Sequence, residues 1–225
     1  MNSKYRIIAL LILLAFAVTV CFIMFMPDKI PAHYNIHGEI DRYGSKYESL
    51  IMPSAVAAMG FTAVITSLCF RKKEQPQNER FILVSGIVST AVLNVLNLFI
   101  LIKATSNSGI NGISGIDLTQ LTTILLGMLL IVLGNIMPKA KRNKVFGLRT
   151  KWSAENDVVW QKSQRVGGYL TVICGMAMLL MGVIFSELVL LIITGGLMLI
   201  WVFACIYASY YIYNAVENKN KSDNT

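Results

Sequence analysis

This 225-residue chain is 55% hydrophobic and 14% charged, with a mean hydropathy of +0.61, a composition that excludes an ordinary water-soluble domain. Its formal charge of +8 does not describe a basic nucleic-acid face, because the Lys and Arg residues fall in the connections between long apolar stretches. Four cysteines, Cys21, Cys69, Cys174 and Cys205, lie within or at the ends of those stretches without a Cys-x-x-Cys pair, so they offer neither a disulfide framework nor a thiolate metal site.

The apolar stretches run Ile7–Met26, Leu50–Phe70, Phe81–Ile102, Leu118–Met137, Tyr169–Phe185 and Leu188–Ile212, and none contains Asp, Glu, Lys or Arg. About 20 apolar residues in a helix cross the hydrocarbon of a bilayer. The predicted fold is therefore all-α, a polytopic bundle of six transmembrane helices. The first stretch follows Lys4 and Arg6 as a signal peptide would, but its core is long and Phe25-Met26-Pro27 is no small-residue cleavage site, which favours an uncleaved anchor. Sixteen of the twenty Lys and Arg residues fall at the termini and in the loops after spans 2 and 4. By the positive-inside rule both termini are cytoplasmic, and the loops after spans 1, 3 and 5 face outward.

The outward loop at 27–49 contains His33, Asn35, His37, Glu39 and Asp41 within nine residues, with Pro27 and Pro31 stiffening its entry and Gly38 and Gly44 permitting turns. The i, i+4 pair His33 and His37, followed by carboxylates, raises a metal site. Pro31 and Gly38 bracket that pair and disfavour the helix such spacing needs, so a loop held by its own Asn and Asp hydrogen bonds competes with it. Further along, Asn94 and Asn97 in span 3 share a helix face, and Asn135 lies near the end of span 4. All three suit interhelical hydrogen bonding, with a solute site as the alternative. Gly127 and Gly134 in span 4, and Gly168, Gly175 and Gly182 in span 5, recur every seven residues and predict a close helix seam. Met176, Met178 and Met181 read as core filler.

The loop after span 4 carries eight Lys and Arg residues, enough to fix topology and to touch anionic lipid. Ser153 reads as the N-cap of a short helix over 154–166, with Glu155 and Asp157 in its first turn and Lys162 and Arg165 in its last. Charge alone does not require the Gly-x-Arg-Thr turn and the Trp-x-x-x-Asn-x-x-x-Trp run that follows. Spans 5 and 6 are joined by little more than Ser186-Glu187 and must form a tight hairpin, and Tyr210, Tyr211 and Tyr213 suit the membrane interface.

These residues resemble the SdpI family of bacterial membrane proteins, which protect a cell from a secreted killing peptide. The pattern is carried by Gly134-Asn135, Pro138-Lys139, Asn143, Gly147-x-Arg149-Thr150, Trp152, Asn156, Trp160 and Arg165-x-Gly167-Gly168. The outward loop is similar to the module that precedes the motif in many members, through Pro27-Asp28, Ile30-Pro31, His33, Asn35, Gly38, Asp41-Arg42 and Gly44-Ser45-Lys46. His37 is not part of that pattern, which weakens the two-histidine metal site.

The resemblance implies a multi-pass immunity protein of the cytoplasmic membrane with a secreted toxin peptide as partner. It implies, for some members, a second role in capturing a transcriptional repressor on the cytoplasmic side. On that reading His33, Asn35, Gly38, Asp41, Arg42 and Gly44 face the toxin. Asn135, Pro138, Lys139, Asn143, Gly147, Arg149, Thr150, Trp152, Asn156, Trp160, Arg165 and Gly168 form the cytoplasmic docking motif, while Lys141, Arg142 and Lys144 are interchangeable lipid-facing charges. The other partners expected are anionic lipids and a second copy of the chain; direct nucleic-acid binding is not expected. No cofactor and no enzymatic activity are implied, and a transporter or exporter is the alternative function. The chain divides into a membrane module at 1–80, span 3 with its outward loop at 81–117, an SdpI-like module at 118–217 and a disordered tail at 218–225.

Overall fold

Every apolar stretch becomes a helix, and those of spans 3, 5 and 6 extend well beyond the stretch at one or both ends. The computed structural model describes residues 3–35, 40–73, 75–106 and 117–222. The elements are α1 (Ser3–Phe25), β1 (Lys29–Tyr34), β2 (Ile40–Ser45), α2 (Ile51–Lys72), α3 (Pro76–Ser106), α4 (Leu118–Ile136), α5 (Asp157–Ile184) and α6 (Glu187–Ser222). All six helices are long and apolar enough to cross a membrane. Large apolar side chains cover their outer faces, Leu10, Leu13 and Leu14 on α1 and Ile192, Leu199, Ile200 and Phe203 on α6 among them. Lipid rather than water solvates such a surface, and the internally bonded helix backbone tolerates it. The chain is a multi-pass membrane protein.

Two helix boundaries correct the sequence reading. Helix α6 continues to Ser222, through residues expected to be disordered from Asn218 onward. Extending an existing helix adds one hydrogen bond for each residue fixed, so a short polar tail follows its helix outward. Likewise, the short helix expected over 154–166 is the first part of α5, which runs without a break through Gly167 and Gly168.

Helices α1, α2 and α3 pack on one another, α4, α5 and α6 do the same, and the contact between α3 and α4 joins the two groups. Polar side chains stitch the first group at depth. Asn94 donates to the Leu11 carbonyl at 3.2 Å, and the buried Asn97 donates to Thr19 Oγ1 at 3.0 Å, so both Asn residues bond across α1 and α3 as expected. Asn135 differs. It is exposed and donates to the Ile131 carbonyl of its own helix, and among the described residues it bonds to no other helix.

The second group is held by the glycine seam. A Cβ on Gly127 would lie 2.7 Å from the Gly175 carbonyl oxygen, and one on Gly134 equally close to the Gly168 oxygen. The backbones of α4 and α5 therefore touch, and any side chain at these positions would push them apart. Met178 fills the core beside the seam with Leu130 and Cys174, whereas Met176 faces outward. Across the next interface Trp201 of α6 donates its indole N–H to Thr171 of α5 at 3.1 Å.

One carboxylate organises the end of this group where α4 begins. Asp117 Oδ1 accepts the Gln120 N–H at 2.6 Å, while Gln120 returns a bond to the Asp117 N–H in a capping box. The other oxygen, Oδ2, accepts the N–H of Glu187, the first residue of α6, at 3.1 Å. Glu187 itself holds φ at 51°, which lets two helices reverse across Phe185 and Ser186. This is the tight hairpin expected between spans 5 and 6.

Candidate functional site

The two loops singled out by sequence lie at opposite ends of α3. Near its C-terminal end, Leu101 and Ala104 pack on Met26 and Ile30 of the first loop. Near its N-terminal end, Asn78 bonds to Lys141 of the second. At 1.5 Å per residue these contacts are roughly 35 Å apart along the helix.

The first loop is an antiparallel two-stranded hairpin, β1 paired to β2 with a register irregularity around His33. Sequence gave no strand here, because Pro31 and the dense charges mask any alternating pattern. Ile30, 4% exposed, anchors β1 on α1 and α3. Beyond the strand pairing, three ion pairs near water tie the loop together. His33 Nδ1 is 2.6 Å from Asp41 Oδ1, Arg42 is 3.0 Å from Glu48, and Lys46 is 3.0 Å from Asp28. Ser45 caps the 3₁₀ turn Lys46–Leu50 in a capping box with Glu48. A Cβ on Gly44 would overlap the Glu48 carboxylate, so glycine there admits that carboxylate to its partners. Asn35 is bonded, while His37, Gly38 and Glu39 lie outside the described residues. Two members of the metal-site idea thus lie outside the description, and the described members, His33 and Asp41, pair with each other.

The second loop is built around its own backbone. Asn143 Oδ1 accepts the N–H groups of Val145 and Phe146 at 2.8 and 2.9 Å, which turns the chain. Phe146 then inserts between α2 and α3, stacked on Phe81 at 4.1 Å and edge-on to Phe70 at 5.6 Å. Gly147 follows at φ +93°, a left-handed conformation that favours glycine. Gln164 of α5, wholly buried, reads Leu148 at both ends, accepting its N–H at 3.0 Å and donating to its carbonyl at 2.9 Å. Ser153, also wholly buried, accepts the Thr150 N–H at 2.8 Å and donates to the same Leu148 carbonyl at 2.8 Å.

The expected docking residues therefore divide. Asn156, rather than Ser153, caps α5, its side chain accepting the Val159 N–H at 2.9 Å. Both are good cap residues, and Ser153 is captured inside the loop. Trp160 is 1% exposed and donates its indole N–H to the Ala140 carbonyl at 2.8 Å. Thr150 shares a 2.8 Å hydrogen bond with Ser209 of α6, and Trp152 meets Tyr210 edge-on at 5.1 Å. Gly168 leaves space for Pro138 and the Gly134 carbonyl. Lys139, Arg149 and Arg165 are exposed.

Arg142 departs from its expected role as an interchangeable surface charge. Its guanidinium donates to the Ala154 and Glu155 carbonyls and pairs with Asp157 at 2.8 Å, closing the loop onto the start of α5. Gln164 and Asn78 escaped sequence reasoning because neutral polar residues in a helix look like surface. A signal for Gln164 existed: Trp160, Gln164, Gly168, Thr171 and Gly175 recur on the helix face that forms the seam. Among the described residues no set of three metal-ligating side chains comes together.

Comparisons with known proteins agree with the resemblance read from the motifs. Residues 139–209 match the SdpI/YfhL protein family, and residues 10–56 match a domain of unknown function (DUF1648). The chain is 24% identical to Immunity protein SdpI of Bacillus subtilis (strain 168) over 216 residues, covering 95% of this chain and 98% of that protein. No solved structure matches. The segment that matches the SdpI/YfhL family opens beside Pro138 and closes at Ser209, the residue that fastens Thr150.

Proposed function

We propose that this chain is an immunity protein of the bacterial cytoplasmic membrane, neutralising a secreted, membrane-active toxin peptide. The observation that carries this reading is similarity to an immunity protein across nearly the whole of both chains. The distribution of Lys and Arg supports cytoplasmic termini, which put the hairpin outside and the motif loop inside. The hairpin is then the first folded surface an arriving peptide meets. Its polar groups His33, Asn35, Asp41 and Arg42, with Gly38 and Gly44, are the toxin-facing set. Neutralisation by binding needs no bond-making step, so no catalytic residue is invoked.

The motif loop is the proposed docking site for a repressor. Trp160 and Asn156 serve it from within, and contact with a partner falls to the exposed Arg149.

Expression in cells made toxin-sensitive by removing their own immunity protein tests the reading. Survival should rise, labelled toxin should stay with the membrane fraction, and a reporter fused after Lys46 should register outside the cell. Survival with lowered total cell-associated toxin would mean export instead. A cytoplasmic Lys46 reporter would overturn the orientation.

A further inference from the structure

A cavity of about 1060 Å³ opens where α3 begins and α5 begins, with the chain leaving α4 as its back wall. Gln77, Arg80, Phe81 and Val84 line it from α3, and Asp157, Trp160, Gln161 and Arg165 from α5. Each set is one helix face, at spacings of three and four residues. The lining also changes with depth along the helices. On α3, Gln77 precedes Arg80, and Arg80 precedes Phe81 and Val84, so polar groups come first and apolar ones toward the span, whereas on α5 Arg165 lies farther along than Trp160.

Charge in this cavity is one-sided. Among the described residues, five cations line it, Arg80, Lys139, Lys141, Arg142 and Arg165, against the single carboxylate of Asp157. Arg142 already pairs with that carboxylate at 2.8 Å. The side chains of Arg80, Lys139, Lys141 and Arg165 are exposed, and among the described residues they make no hydrogen bond or ion pair. Gathering four unpaired cations around one hollow is unfavourable unless an anion joins them. Solvated charges spread over a loop would fix topology equally well, so topology does not explain the convergence.

We propose that this cavity binds one anionic phospholipid, its phosphate held by Arg80, Lys139 and Arg165 and its acyl chains entering against Val84 and Ile136. A soluble phosphate would meet the same cations but would leave that apolar floor unused. A basic pocket between membrane helices at headgroup depth has the chemistry to select lipid by charge. The proposal goes beyond immunity and does not depend on it, since the toxin and the lipid would act at opposite ends of α3.

Native mass spectrometry of the full chain, purified in a neutral detergent, tests the proposal. Dioctanoyl phosphatidylglycerol should bind as a single copy in preference to dioctanoyl phosphatidylcholine. The variant R80Q/K139Q/R165Q should lose that preference by about tenfold or more, given the contribution of each Lys or Arg to anionic-lipid binding. The control variant R71Q/K72Q/K73Q removes three exposed charges from the C-terminal end of α2 and should keep it. Equal binding of both lipids, a preference retained without the three cavity cations, or an equal loss in the control would each overturn the site. Inorganic phosphate displacing the lipid at equal concentration would show a soluble-anion site and overturn the lipid assignment. If the triple variant fails to fold, Arg165→Gln alone should lower the preference, and an unchanged preference there would sink the proposal.

Discussion

The two ends of α3 hold their loops by different means. At one end the hairpin, among the described residues, rests on the buried anchor Ile30, with its own strand pairing and ion pairs near water. At the other, the motif loop is fastened by wholly buried Gln164 and Ser153, which satisfy main-chain groups directly. Ion pairs of the first kind are screened by water and contribute little to stability. A buried main-chain group left unpaired costs about 1–3 kcal/mol. The hairpin is thus suited to adapt to what lands on it, and the motif loop to keep one shape.

Gln164→Leu should break this contrast most severely. It orphans the N–H of Leu148 and leaves the Leu148 carbonyl to Ser153 alone, for a loss of about 2–3 kcal/mol. Thermal unfolding in detergent should fall clearly, and trypsin should cut faster at Arg149 and Lys151. Unchanged cleavage would show that the loop is held elsewhere. Gly147→Ala ranks next, combining a strained left-handed backbone with crowding of the Gln164 amide, for about 1–3 kcal/mol. Because both changes strike one contact, the double variant should lose less than the sum of the two, and additive losses would place them in separate networks.

At the hairpin the expected stability effect is smallest. His33→Ala and Arg42→Gln each remove one exposed pair and should alter unfolding by less than about 1 kcal/mol. Both should nonetheless lower toxin protection at unchanged membrane abundance. Full protection in both variants would move the toxin contact into the spans and remove the functional half of the comparison.

How much was legible follows from the range over which each feature is decided. The six spans are local, since a run without Asp, Glu, Lys or Arg announces itself. The seam between α4 and α5 was also legible, because the seven-residue return of Gly127 and Gly134, and of Gly168, Gly175 and Gly182, marks one helix side. What stayed hidden depended on partners far along the chain. The strand pairing of Ile30 with Gly44 has no local sign beside Pro31. The cap of α5 was read three residues early, at Ser153, because the capture of Ser153 by Leu148 and Thr150 depends on a loop shape that Gln164 holds from α5. Arg142 looked like its neighbours Lys141 and Lys144, and its role emerges only with Asp157 and the Ala154 and Glu155 carbonyls in place.

The shared carboxylate of Asp117 puts a clock on assembly. It serves the first turn of α4 at once, but its second oxygen waits for Glu187, which lies 70 residues later. At about 5–20 residues per second of synthesis, that interval is roughly 4–14 s. Through it α4 stands in the membrane with half of its cap unanswered and its glycine seam open. The arrival of α5 fills the seam, and the turn into α6 completes the cap. The last helix to enter is therefore the one that locks the start of the first helix in its group.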